Sequence, residues 1–356
     1  MRIVLQGGDN MLGRAIQLTL PHQTPGDEDV TDTITAKEYL ELAGVNNIER
    51  IKKQNANGSY LWGDLLKYDF HEDLRIINIE SACTTTIQQT YTKIEYHTNI
   101  QNIPLIFKQF NRPYLLTMAN NHALDMGRKA FENETLPNVK NVVGVGMNHF
   151  ESTYPYLNKN IAVFGFATEC SGTSRKWAAT THRSGVAWLP SISTKANVNQ
   201  AFNIIHKAFD KHDLEGKCII ITIHWGPNWS TYDDGQEYRQ QLAYRLIDEL
   251  GVSIIHGHSS HHIRGMEVYK GKFITYGAGD FVNDYEGISG HEEYAKAGAV
   301  YILDLDNEFN LVDLELFFFE TYKLSCRHIT DPKRIKEITS FVNEMSMKDC
   351  RHPLLI

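Results

Sequence analysis

Short apolar runs, each closed by a polar residue or glycine, recur along the chain and set its expected architecture. Residues 2–5 run into Gly7-Gly8-Asp9-Asn10, 74–79 into Glu80, and 114–118 into Asn120-Asn121-His122. Residues 160–166 run into Ala167-Thr168-Glu169, 218–223 into His224-Trp225-Gly226, 252–255 into His256-Gly257-His258-Ser259-Ser260-His261-His262, and 273–276 into Gly277-Ala278-Gly279-Asp280. Runs of this length and β-branched content read as buried strands. All seven share one habit, an Asp, Glu, Asn or His within a few residues of the strand end. In α/β sheets the crevice beyond the carboxyl ends of the strands is where ligands bind.

Between the runs, residues 199–211 and 236–250 repeat apolar positions at spacings of three and four, the period of an amphipathic helix. Gly251 stops the second. Strand, polar loop and helix in alternation predict α/β layers around a mixed sheet. Residues 299–305 and 310–323 predict an antiparallel hairpin around Asp306-Asn307-Glu308, and 331–345, opening with Asp331-Pro332, a terminal helix. Residues 21–60 and 169–198 carry the weakest pattern of regular structure, and loops of that length in a compact domain are often functional.

With 356 residues, 42% apolar and 22% charged, the chain can bury a large core. Lys and Arg total 35 against 43 Asp and Glu, a formal net charge of −8. That balance argues against nucleic acid as a partner, so an anionic substrate must be captured locally. Five scattered cysteines (Cys83, Cys170, Cys218, Cys326, Cys350) contain no CxxC pair, which argues against a disulfide framework or a thiolate zinc site. The opening apolar run is too short for a secretory leader, and no stretch nears the ~18 apolar residues of a membrane span. The expectation is a cytoplasmic protein without membrane contact, its oligomeric state open.

Four imidazoles within residues 256–262 turn the strand-end habit into candidate chemistry, because imidazole is the commonest metal-binding side chain. Asp9 and Glu80 offer anionic oxygens, Asn121 a carbonyl oxygen, and His224, His258 and His261 ring nitrogens. This mixed set suits one or two divalent transition metals, Mn, Fe or Zn, better than calcium. Six donors exceed one tetrahedral ion and would serve two ions ~3.5–4 Å apart. His122, beside Asn121, is placed to protonate a leaving group, with Asp125 fixing its tautomer. Arg14, Arg175 and Arg264 are candidates for holding substrate carboxylates or phosphates. Trp177, Trp225 and Trp229 are candidates for lining a groove, and the stretch from Asp280 to Glu286 reads either as support for the ligating histidines or as a solvated loop. GxGxxG, P-loop and GxSxG patterns are absent, which disfavours nucleotide binding and serine catalysis.

Taken in order, Gly8-Asp9-Asn10-Met11-Leu12-Gly13-Arg14, Asn78-Ile79-Glu80, Ala119-Asn120-Asn121-His122-Ala123-Leu124-Asp125-Met126-Gly127, Gly144-Val145-Gly146-Met147-Asn148, His224-Trp225-Gly226, Gly257-His258-Ser259-Ser260-His261 and Gly279-Asp280-Phe281 resemble the CapA/PgsA-type capsule and poly-γ-glutamate synthesis family. That family looks like a branch of the calcineurin-like metallophosphoesterases. The resemblance implies a four-layer α/β/β/α sandwich as one domain over residues 1–325, with 326–356 a helical extension packed on it. It implies that Asp9 and His261 hold one ion and Asn121, His224 and His258 the other, with Glu80 bridging or near both and His122 as the acid beside the leaving group. The implied activity is a metal-dependent hydrolase that turns a metal-activated hydroxide on an anionic substrate, a γ-glutamyl amide of polyglutamate or a phosphoester. Three departures stand out: Met11 where the superfamily's Asp-x-His needs histidine, Asn78-x-Glu80 in place of a bridging aspartate, and a closing motif stretched so that His262 competes with His261. They motivate an alternative, a non-catalytic polymer-binding or scaffold protein with a degenerate metal centre.

Overall fold

The computed structural model describes residues 1–27, 34–88, 94–230, 235–288 and 296–356. Two large sheets dominate it. The first runs Ser325–His328, Leu311–Tyr322, Ala297–Leu305, Arg2–Asn10, Leu74–Ile79, Tyr114–Thr117, Val142–Val143. From Arg2–Asn10 to Val142–Val143 neighbouring strands are parallel, while Ala297–Leu305 and Leu311–Tyr322 form the expected antiparallel hairpin. The second sheet runs Trp188–Leu189, Ile161–Thr168, Cys218–His224, Ile254–His258, Lys272–Thr275, Met266–Tyr269.

Side-chain alternation along each strand decides the layering. Ile3, Leu5, Ile76 and Leu115 of the first sheet meet Val163, Ile220 and Ile254 of the second in one apolar cluster between the sheets. The opposite faces, Val4, Ile77 and Leu116 on one sheet and Phe164, Ile221 and Ile255 on the other, pack in separate clusters with Leu12, Ile16, Trp62 and Phe107, and with Phe202, Ile205, Leu242 and Leu246. The order is therefore helix, sheet, sheet, helix, the four-layer α/β/β/α sandwich that was expected. Each fully buried Leu or Ile contributes ~1.5–3 kcal/mol against exposure.

Residues 21–60, weak in pattern, hold two short helices, Ala36–Leu42 and Ile48–Gln54. Local caps rather than periodicity start them. The Thr35 side chain accepts from the Glu38 amide while Glu38 reaches back to the Thr35 amide, and Asn47 accepts from the Arg50 amide. The terminal helix spans Pro332–Asp349, longer than its pattern predicted, and sends Ile338 and Val342 into the cluster between the sheets. The strand Ser325–His328 pairs with Leu311–Tyr322, so the chain crosses position 325 inside the first sheet. No helix among the described residues is long and apolar enough to cross a membrane.

Parallel order brings the carboxyl ends of Arg2–Asn10, Leu74–Ile79 and Tyr114–Thr117 to one edge of the first sheet, and those of Cys218–His224 and Ile254–His258 to one edge of the second. Two glycines let these edges meet. Gly7 has φ +61°, and a Cβ there would lie 2.7 Å from Phe281 Cβ. A Cβ on Gly8 would lie 2.7 Å from the Gly279 carbonyl oxygen and 3.2 Å from His258 Cβ. That closeness lets the Gly8 and Asp9 amides both donate to Gly279, at 2.6 and 3.1 Å, and sets Asp9 beside Asp280 in register.

Candidate metal centre

Strand parity aims the donors. Cys218 and Ile220 face the other sheet, so Thr222 and His224 face it too; Ile254 does the same for His256 and His258. The Nδ1 atoms of His224 and His258 lie 2.7 Å apart, and Asp9 Oδ1 lies 3.5 and 3.7 Å from them. Asp9 is aligned by a rack of amides. Asn120 Nδ2 donates to Asn78 Oδ1 (3.0 Å), Asn78 Nδ2 donates to Asp9 Oδ1 (2.7 Å), and the Ser259 amide donates to Asp9 Oδ2 (2.9 Å). The aspartate is 1% exposed; burial alone would raise its pKa, but His224, His261 and His258 hold it well below the carboxylate range.

His261 completes a second cluster. One donor atom each from Asp9, Glu80 and His261 lies within 4.8 Å of the others, and the same holds for Asp9, His224 and His258. Asp9 is the carboxylate common to both clusters; Glu80, expected to bridge or lie near both ions, belongs to the second, with Oε1 3.7 Å from His224 Nε2 of the first and 3.8 Å from His122 Nε2. His261 Nδ1 donates to Asp280 Oδ1 at 2.8 Å, and its ring stacks on Trp229 at 4.7 Å. Burial opposes its charge, yet Asp280, Glu80 and Asp9 push its pKa up to about 10. Asp280 thus supports a histidine, the first of the two readings of its segment. His262 turns away, donating from Nδ1 to the Ser260 carbonyl and lying against Phe341, so His261 is the one in the cluster.

Asn121 Oδ1 lies 2.9 Å from His224 Nε2, joining the first cluster from its edge. His122 Nδ1 donates to Asp125 Oδ2 at 2.6 Å, which leaves Nε2 facing Glu80, and its ring stacks on Tyr96 at 4.0 Å. The Tyr96 hydroxyl meets that of Tyr285 at 2.6 Å. Together with Trp229, these two tyrosines wall the site beside Met11. Met11 is buried, its sulfur accepting from the Gly13 amide at 3.1 Å, so no ring nitrogen reaches the centre from that position. Arg14, Trp229, Ser259 and His261 all hold positive φ (46°, 58°, 102° and 59°), a backbone cost of order 1–3 kcal/mol each that gathers around this site.

The arginines divide. Arg14 is 2% exposed, donating from Nε and Nη2 to the two Asp284 oxygens and from Nη1 to the Tyr39 hydroxyl at 2.9 Å, and lying over the Tyr39 ring. Arg264 is 3% exposed and donates from Nε and Nη2 to Asp349 on the terminal helix, each at 3.0 Å. Neither takes the substrate-holding place expected of it, because each guanidinium is committed to a buried carboxylate. Arg175 stays exposed, on the loop whose Gly172 lies against Asn121. Trp225 stacks on Tyr276 in the core rather than lining a groove, and Trp177 packs half-buried against the first helical layer.

The donor set fits transition metals. Imidazole nitrogens and carboxylates converging from two rigid sheet edges suit Mn, Fe or Zn, and the buried carboxyl groups of Asp9, Glu80 and Asp280 gather where a divalent ion would offset their charge.

A family model described as "Bacterial capsule synthesis protein PGA_cap" matches residues 3–285. A probable polyglutamine synthesis accessory protein of Mycobacterium tuberculosis (strain H37Rv) is 32% identical over 333 residues, 88% of this chain and 83% of its own. The PGA biosynthesis protein CapA of Bacillus subtilis is 30% identical over 217 residues, 58% of this chain and 52% of its own. Among solved structures, a phosphatase from Mycoplasma pneumoniae overlays with a TM-score of 0.45 at 12% identity, covering 94% of this chain and 96% of that one.

Proposed function

The chain belongs to the bacterial capsule synthesis protein family PGA_cap, and from that premise we propose that it is a metallophosphoesterase-like, metal-dependent hydrolase acting on an anionic substrate. The substrate class is a γ-glutamyl amide of polyglutamate, which the relatives' names support, or a phosphoester. The observation that carries the reading is the convergence of His224 Nδ1 and His258 Nδ1, 2.7 Å apart, on Asp9 Oδ1 at the meeting edges of two sheets. When bound, one or two divalent transition ions supply a Lewis acid and lower the pKa of water toward neutrality.

The chain's own groups divide the remaining work. Asp9, His224 and His258, with Asn121 at the edge, would form one ligand set, and Glu80 and His261 with Asp9 the other. Asn78 and Asn120 keep Asp9 Oδ1 turned inward. Asp125 holds the Nδ1 hydrogen of His122, so Nε2 is the ring atom that, once protonated, would hand a proton to a leaving group. Arg175, exposed beside the Asn121 flank, is the arginine available to an anionic group. The five cysteines are all free, which supports a cytoplasmic setting.

Burial of Met11 under Tyr96 and Tyr285, with its sulfur spent on Gly13, favours the second reading, a polymer-binding scaffold whose centre has decayed. Elemental analysis with substrate assays separates the two. A hydrolase is expected to carry about two equivalents of Mn, Fe or Zn. It is also expected to turn over oligo-γ-glutamates or phosphoesters, with that turnover and most of the metal lost in His224→Ala. Protein without metal and without His224-dependent turnover would establish the scaffold.

A further inference from the structure

The parallel strands Cys218–His224 and Ile254–His258 pair Thr222 with His256 and His224 with His258. Four side chains therefore form a two-by-two array on the face turned to the other sheet, all of them fully buried. A single chain of hydrogens runs through three of them. His256 Nε2 lies 2.7 Å from the Gly7 carbonyl oxygen on the first sheet, and since a carbonyl only accepts, that nitrogen carries the hydrogen. His256 is fully buried, and a neutral ring with its hydrogen on Nε2 keeps its lone pair on Nδ1. Thr222 Oγ1 lies 3.3 Å from that Nδ1 and donates to it. With its one hydrogen spent, the hydroxyl accepts from His258 Nε2 at 3.0 Å. His258 is left with its lone pair on Nδ1, the atom 3.7 Å from Asp9 Oδ1 and 2.7 Å from His224 Nδ1.

We propose that His256 and Thr222 are positioning residues. With the Gly7 carbonyl they lock His258 as its Nε2–H tautomer and present its other nitrogen to the donor cluster. The role of that nitrogen as a ligand rests on the function proposed above; the lock itself does not. Every link points one way: reversing the first would set a nitrogen lone pair against the Gly7 carbonyl oxygen, reversing the second would require a charged, buried His256, and reversing the third would leave the His256 Nδ1 lone pair facing the Thr222 oxygen. The isosteric Val would suit the buried position of Thr222 on packing alone, so the hydroxyl serves the relay.

Two-bond 1H–15N correlation spectra of 15N-labelled protein freed of metal are expected to show Nε2–H on both His256 and His258. An Nδ1–H signal from His258 in the wild-type chain would overturn the proposal. Thr222→Val keeps the shape and removes the relay. It is expected to mix the His258 tautomers and to weaken Zn2+ or Mn2+ binding at one site about 10- to 100-fold by calorimetry, while Thr222→Ser restores both readings. Wild-type affinity at both sites in Thr222→Val, with the fold confirmed by circular dichroism, would also overturn it. A wild-type chain that binds no metal sinks the hydrolase reading instead, and the tautomer spectra still decide the lock.

Discussion

At the residue scale, three arginines that look alike in sequence divide between two fates, two tied to buried carboxylates and one exposed. Arg14 and Asp284 form an ion pair 270 positions apart, and Arg264 reaches Asp349 across 85. Both pairs are buried, so removing one partner leaves a carboxylate without compensation, at a cost of about 3–5 kcal/mol. Arg14→Ala and Arg264→Ala are therefore expected to lower the thermal midpoint sharply, measured by calorimetry, without a selective rise in KM. Arg175→Ala is expected to leave the midpoint unchanged and raise KM for the anionic substrate about fivefold, as ~1 kcal/mol from an exposed charge contact implies. If Arg175→Ala unfolds the chain or leaves KM unmoved, the assignment fails. Neighbourhood in sequence to a glycine-rich or histidine-rich motif was the only sequence signal for these side chains; what each guanidinium meets depends on partners that local pattern does not encode.

At the scale of the element, alternation carried the information that mattered. The apolar runs ending in Asp9, Glu80, His224 and His258 are strands, and counting by twos from Ile220 or Ile254 already puts His224 and His258 on the face shared with Cys218 and Ile254. What alternation does not carry is how two edges approach. Asp9 as the carboxylate common to both clusters, and His261 over His262, depend on the turn at Ser259 and His261, whose positive φ values no propensity announces. Tyr96 and Tyr285 were missed as walls of the site because each is a lone aromatic in its own segment, and they meet only across 189 positions. The approach itself is testable at Gly8. Gly8→Ala places a methyl 2.7 Å from the Gly279 oxygen, which must move and take Asp280 with it. The variant is expected to lose at least ~2 kcal/mol in denaturant titration and to bind less metal than the wild-type chain; an unchanged midpoint and metal content would show that the edges have slack.

Across the whole molecule, the donor groups belong to opposite sheets, Asp9 and Glu80 to the first and His224 and His258 to the second. An ion held by both sheets binds the folded chain and not the unfolded one, so it stabilises by RT ln(1 + [L]/Kd), ~2.7 kcal/mol per site at a hundredfold excess over Kd. Thermal melts are expected to shift upward by several degrees when metal is restored to chelated protein, and His224→Ala is expected to remove most of that shift. Identical melts with and without metal would count against a centre shared by the sheets.

The first strand, Arg2–Asn10, also has a temporal consequence. Its antiparallel neighbour is Ala297–Leu305, with Arg2 beside Asp304 and the amino terminus donating to the Leu305 carbonyl. The ribosome makes this central strand long before its flank, because the two lie far apart along the chain. At ~5–20 residues per second, the opening strand waits many seconds with one edge bare, and during synthesis that edge is the segment most open to chaperones or to pairing with another nascent chain.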